Sequence, residues 1–186
     1  KDPHPHELKI KSFELEEGVG TLRTSRGSMA AACVDGSIQL WDPRRIITSP
    51  TLHNREAHQQ GSETSCVAFA YLHNWIASRG GDDTVKLWDL RAFKKPLQVK
   101  HDLFSRYGST DCAFSPDDTV LTTGVSLNKG ETEGKLYFFD TTTFETVKEI
   151  VVADAHVIKT VWHPRLHQIF VSCGNGGLLL GSIVLI

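Results

Sequence analysis

Two four-residue strings carry the side chains best suited to interaction chemistry, Trp41-Asp42-Pro43-Arg44 and Trp88-Asp89-Leu90-Arg91. An arginine just past a strand end presents a planar fork of N–H donors that matches a partner's carboxylate or carbonyl groups. The chemistry on offer is therefore recognition. An arginine at a strand end is also an ordinary solubilising choice, and the residues alone leave both readings open. Pro43 stiffens the approach to Arg44, which makes Arg91 the better candidate. Arg79 is a third candidate, because it interrupts an apolar strand just before Gly80-Gly81. It suits a partner contact, since adjacent glycines allow another backbone to come close. An internal pair with Asp82 or Asp83 is its more ordinary reading.

Catalytic and metal chemistry find little support. His163-Pro-Arg-Leu-His167 has a spacing that zinc sites use, but no cysteine pair or carboxylate completes it, so a solvent-facing turn is expected. Asn175-Gly-Gly177 lacks the following Lys-Ser/Thr of a phosphate loop and reads as a hairpin turn. Neither His-Glu-x-x-His nor Gly-x-Ser-x-Gly occurs. Cys33, Cys66, Cys112 and Cys173 each stand alone in apolar, strand-like runs, as expected of free buried thiols in a reducing compartment. No enzyme, metal or cofactor is expected.

Composition narrows the classes further. The 186 residues carry 20 basic and 22 acidic side chains, a formal charge of −2, spread along the whole length. No stretch is basic enough to hold a phosphate backbone by electrostatics, so sequence-specific nucleic-acid binding is not expected. The tail Leu178 to Ile186 is broken by Gly181 and Ser182 and falls far short of the roughly 20 apolar residues a membrane helix needs. The start, Lys1-Asp-Pro-His-Pro-His6, has no apolar region of the kind a signal peptide requires.

The elements that position these residues are repeated. Asp35-Gly-Ser-Ile-Gln-Leu-Trp41-Asp42, Asp82-Asp-Thr-Val-Lys-Leu-Trp88-Asp89, Glu133-Gly-Lys-Leu-Tyr-Phe-Phe139-Asp140 and Asn175-Gly-Gly-Leu-Leu-Leu-Gly181 align, with apolar residues at matched offsets. The intervals from Trp41 to Trp88, Phe139 and Gly181 are 47, 51 and 42 residues. A four-stranded propeller blade takes about 40–45, so the segments read as blades with modest insertions. Alternation of period two dominates and no helical stripe appears, which predicts an all-β fold.

These segments resemble the WD-repeat family over roughly residues 27–186. Two Trp-Asp pairs are intact, Phe139-Asp140 replaces the third, and Gly181 holds the tryptophan slot of the fourth. The resemblance implies a β-propeller with about four blades present, part of a seven-bladed whole. The expected division is a 1–26 segment that is irregular or part of a preceding strand, a partial blade at 27–56, then blades at 57–97, 98–149 and 150–186. Leu8 to Leu15 alternates, but Glu16-Glu-Gly-Val-Gly20 breaks the pattern before a clean inner strand forms. In the second blade the resemblance places His58, Ser78, Asp82 and Trp88 in one hydrogen-bonded relay with a structural role.

The Trp-Asp-x-Arg boxes resemble the signature by which family members dock on the adaptor of cullin-RING ubiquitin ligases. Ser78 through Arg91, Thr110 through Asp118 and Gly134 through Phe139 narrow the resemblance to a nuclear branch of the family. What this implies is a non-enzymatic nuclear scaffold within a multi-subunit assembly, serving as substrate receptor of such a ligase in chromatin and the DNA-damage response. The alternative is a peripheral scaffold of the spliceosome in pre-mRNA splicing. No membrane partner is implied.

Overall fold

The computed structural model describes residues 19–25, 27–44, 49–106, 110–166 and 168–182. It holds four antiparallel meanders and, among the described residues, no helix. The first joins β1 (Val19–Ser25), β2 (Ser28–Cys33), β3 (Ile38–Trp41) and β4 (Leu52–Asn54). The second joins β5 (Thr64–Phe69), β6 (Trp75–Gly80), β7 (Val85–Asp89) and β8 (Gln98–Lys100). The third joins β9 (Cys112–Phe114), β10 (Val120–Gly124), β11 (Gly134–Asp140) and β12 (Thr146–Ala153). In the fourth, β13 (Val157–Trp162), β14 (Gln168–Cys173) and β15 (Leu178–Ser182) pair in order.

Turn chemistry sets the register of these sheets. The hairpins β2–β3, β6–β7 and β14–β15 all turn through a left-handed residue, Gly36 at φ 89°, Asp83 at φ 60° and Gly176 at φ 83°. Glycine and the short polar residues tolerate that region. In the first and last of them the residue before the glycine caps the turn. Asp35 Oδ1 accepts the Ser37 N–H and Asn175 Oδ1 accepts the Gly177 N–H, each at 2.9 Å. The string 175–177 is thus a hairpin turn.

Successive meanders pack face to face, with one apolar cluster at each junction. Ala30, Ile38, Val67, Ile76, Trp88 and Phe93 fill the first, and Leu87, Leu103, Phe114, Leu121 and Phe139 the second. Phe138, Val157, Trp162 and Ile169 lie in the third. Burying each large apolar side chain is worth roughly 1.5–3 kcal/mol, so the interfaces between blades carry the core. This is the geometry of propeller blades.

Pairing moves the expected boundaries. In the 1–26 segment, read as irregular or as part of a preceding strand, β1 supplies that strand and pairs with β2 from Val19↔Cys33 to Ser25↔Ser28, so the first sheet starts before residue 27. The second blade continues past 97, since Leu87 pairs with Gln98 and Val85 with Lys100. The third continues past 149, through Gly134↔Ala153. Cross-strand hydrogen bonds decide these ends, and they leave no mark in composition. Residues 8–15 lie outside the described residues.

Candidate interaction site

Behind the second blade's rim lies a buried polar chain. The Trp88 indole N–H donates to Ser78 Oγ at 2.9 Å, and Ser78 Oγ lies 2.8 Å from His58 Nε2. His58 Nδ1 in turn lies 2.9 Å from Asp82 Oδ1. The four residues expected to form a relay thus do so. Donor counting gives the direction. Ser78 accepts from Trp88, so its own proton goes to Nε2, which leaves the His58 proton on Nδ1 facing the carboxylate. That is a neutral imidazole, and burial pushes the His58 pKa down in agreement. Burial alone would raise the Asp82 pKa. The hydrogen bonds from His58, Thr84 and the Gln59 N–H instead hold its carboxyl far below the usual range.

Thr84 is a fifth member that sequence reasoning missed. Its hydroxyl donates to Asp82 Oδ1 at 2.7 Å and lies 3.1 Å from His58 Nδ1. Gly80 is a sixth requirement: a Cβ there would sit 2.1 Å from His58 Nδ1 and 2.4 Å from Asp82 Oδ1. The glycine admits the relay's own imidazole, not the backbone of a partner.

The two Trp-Asp-x-Arg boxes divide between core and surface. Trp41 and Trp88 are buried at 7% and 1% exposure, so neither can touch a partner. Their role in the boxes is to anchor the strand. The arginines are exposed, with Arg44 and Arg91 side chains 74% and 73% accessible. Each is clamped by its own box. Arg91 Nε donates to Asp89 Oδ1 at 3.0 Å and Nη2 to Oδ2 at 2.7 Å. Arg44 repeats this on Asp42 at 2.9 and 3.0 Å. Hydrogen bonds from Arg91 pull the Asp89 pKa down to about 2. Despite Pro43, the two forks have the same geometry.

Arg79 is not a surface residue. It is fully buried, and its guanidinium donates to the carbonyls of Gly80 and Thr84 at 3.1 Å and to that of Leu103. It therefore offers nothing to a partner, and it bonds to backbone carbonyls, not to the Asp82 or Asp83 carboxylates. Desolvation lowers its pKa to about 10, which leaves it charged at neutral pH. The arginine ties the second blade to the chain leading into the third.

Asp118 makes a comparable tie that the sequence did not reveal. This buried carboxylate accepts the backbone N–H groups of Tyr71, Leu72 and His73 at 2.7, 2.6 and 3.0 Å, across the second and third blades. It sits at φ 60° in the turn after Ser115-Pro116, a region that Asp tolerates.

The remaining candidates are structural. His163 Nδ1 accepts the N–H groups of Arg165 and Leu166 at 3.1 and 2.9 Å, which makes it a turn cap, while His167 lies outside the described residues. All four cysteines are buried free thiols. A hydrogen bond with Cys66, then burial, pushes the Cys112 thiol well up. Among the described residues no cluster of His, Cys, Asp or Glu is placed to hold a metal, and no helix is long and apolar enough to cross a membrane.

Comparison with known proteins follows the same lines. Residues 49–89 match the family "WD domain, G-beta repeat". The chain is 52% identical to the Gastrulation defective protein 1 homolog of Drosophila melanogaster, over 84% of this chain and 25% of that protein. It is 52% and 51% identical to WD repeat-containing protein 70 of Xenopus tropicalis and of Homo sapiens, each over 80% of this chain. The chain spans about a quarter of the length of these curated relatives. Among solved structures, a chain of the mitotic checkpoint complex superimposes with a TM-score of 0.75 at 22% identity, over 89% of this chain and 50% of that one. Residues 49–89 are thus a WD repeat, and the stacked antiparallel blades, with a relay in the most regular of them, have the fold of a WD-repeat β-propeller.

Proposed function

We propose that this chain is part of a non-enzymatic nuclear scaffold that acts as substrate receptor of a cullin-RING ubiquitin ligase in chromatin and the DNA-damage response, docking on the ligase adaptor through Arg91 and Arg44. The observation that carries the reading is the pair of matching forks. Two exposed arginines, one on each of two neighbouring blades, are each held by a carboxylate two residues away. An arginine already fixed in this way loses less side-chain freedom on binding, and preorganisation of that kind favours affinity. Buried tryptophans anchor both boxes, so the forks sit on a stiff support. The similarity to WD repeat-containing protein 70 supports the scaffold part of this reading.

The test is capture of the adaptor by wild-type full chain and by Arg91→Ala, Arg44→Ala and the double variant, each checked for folding by circular dichroism. Arginine is among the residues most often found as binding hot spots, so loss of about tenfold or more is expected for Arg91→Ala with an unchanged melting curve. Undiminished capture by the double variant removes the docking role. Co-purification with small nuclear RNA in place of ligase subunits would favour a peripheral spliceosomal scaffold.

A further inference from the structure

A groove with a volume of about 940 Å³ runs between the outer edge of the first blade and the 90–95 turn of the second. Volumes of roughly 300–1,000 Å³ are usual for ligand pockets, so this one is large. One wall is β4 with the residues after it, including His53 and Arg55, and the other carries Arg91, Lys94 and Lys95. The floor is apolar, made by Leu52, Leu90 and Phe93. The floor is also firm. Phe93 is buried against Trp88 at a ring separation of 5.5 Å, and Asn54 Nδ2 donates to the Phe93 carbonyl at 2.9 Å, joining the two walls.

Charge decides what fits. Arg55, Arg91, Lys94 and Lys95 oppose a single lining acid, Glu56, in a chain whose overall formal charge is −2. Asp89 occupies Nε and Nη2 of Arg91, and Nη1 keeps its donors with no hydrogen-bond partner among the described residues. Burial lowers the His53 pKa, and the Arg55 charge beside it pushes in the same direction, so His53 stays a neutral polar group. Backbone geometry decides the shape of the ligand. β4 pairs only with β3, so its other edge is open along the groove among the described strands. An open strand edge is a template for an added extended segment.

We propose that this groove binds an extended acidic peptide segment of a protein partner, which lies along β4 with a central apolar side chain on Phe93 and carboxylates against Arg55, Lys94 and Lys95. An apolar floor between basic walls suits alternating acidic and apolar side chains, whereas a nucleic-acid backbone needs a longer basic track than this surface has. The inference rests on the scaffold reading but uses lysines that the ligase docking does not.

The probe is a fluorescein-labelled decapeptide of glutamates around a central leucine, titrated into the full chain by fluorescence anisotropy. Saturable binding that weakens with added salt is expected, with affinity reduced about tenfold or more in Lys94→Glu/Lys95→Glu. A lysine-for-glutamate version of the peptide should not bind. Should the reversal lower the melting temperature, Arg55→Glu and the milder Lys94→Gln/Lys95→Gln replace it and should show the same direction. No binding at low salt, unchanged affinity in folded variants, or displacement of the peptide by a single-stranded oligonucleotide of equal charge would overturn the proposal. Peptide binding without adaptor capture removes the ligase role and keeps this site, and the reverse result removes this site alone.

Discussion

The second and third blades have the same strand pairing and hold it by different chemistry. In the second, Trp88 pairs with Ile76, and Ser78, two residues on, accepts the indole proton. In the third, Phe139 takes the tryptophan slot opposite Leu121, and Thr123 stands where Ser78 would. Phe139 has no proton to give, and the Thr123 hydroxyl turns to the Asp111 carbonyl at 2.7 Å. Stacking replaces the relay: Phe139 lies 5.9 Å from Phe144 and 6.1 Å from Tyr137. Polar ties still exist here, but some of them run between blades. Trp162 of the fourth blade donates to Thr122 at 3.2 Å, and the Thr160 N–H to Asp111 Oδ1 at 2.9 Å. Apolar stacking supplies bulk stability at either site. The relay adds direction, because it ties the entry loop at His58 to two strands at fixed atoms.

The largest expected effect compares the two aromatics. Both Trp88→Ala and Phe139→Ala should cost about 3–5 kcal/mol, as large buried aromatics do. Trp88→Ala should exceed Phe139→Ala by about 1 kcal/mol, since it also strips the donor from Ser78. Urea unfolding of the full chain followed by circular dichroism measures both. Equal losses would mean that the relay contributes packing alone.

A smaller contrast lies within the second blade. Asp82→Ala leaves the His58 N–H, the Thr84 hydroxyl and the Gln59 N–H without their acceptor, and about 2 kcal/mol or more is expected. Asp83→Ala loses one bond, from the Ser105 N–H, and some tolerance of φ 60°, about 1 kcal/mol together. If thermal melts of the two variants coincide, Asp82 is not the relay's anchor.

The smallest effect is on pH dependence. Burial, then the Lys86 and Arg79 charges, lower the His58 pKa against the pull of Asp82. The unfolded chain therefore takes up a proton that the folded one refuses. This contribution is fully present above the unfolded imidazole pKa of about 6.5 and is lost as pH falls below it. The melting temperature should drop between pH 7.5 and 5.5, and His58→Gln should flatten that drop. A parallel slope in the variant would assign the acid sensitivity elsewhere. The third blade, which has no imidazole in its core, supplies no such slope.

Much of the fold was legible in local sequence because its signals are local. Period-two alternation marks strands, Asp35-Gly36 and Asn175-Gly176 mark turns, and the 47-residue interval between Trp41 and Trp88 marks a blade. The relay was legible through family resemblance, residue by residue, except for Thr84. What stayed hidden depends on partners far along the chain. Gly18-Val19-Gly20 breaks the alternation, yet the strand beginning at Val19 forms because β2 pairs with it. Arg79 read as a partner of Asp82 or Asp83, or as a partner contact, but its guanidinium meets the Leu103 carbonyl, 24 residues away. Asp118 carried no role in the sequence reading, and the N–H groups of Tyr71 to His73 close on it from a preceding blade. Periodicity records which side of a strand is buried. Only the stacking of one blade on the next decides which neighbour a buried charge finds, because desolvation forces that charge to bond with whatever polar backbone the packing brings near.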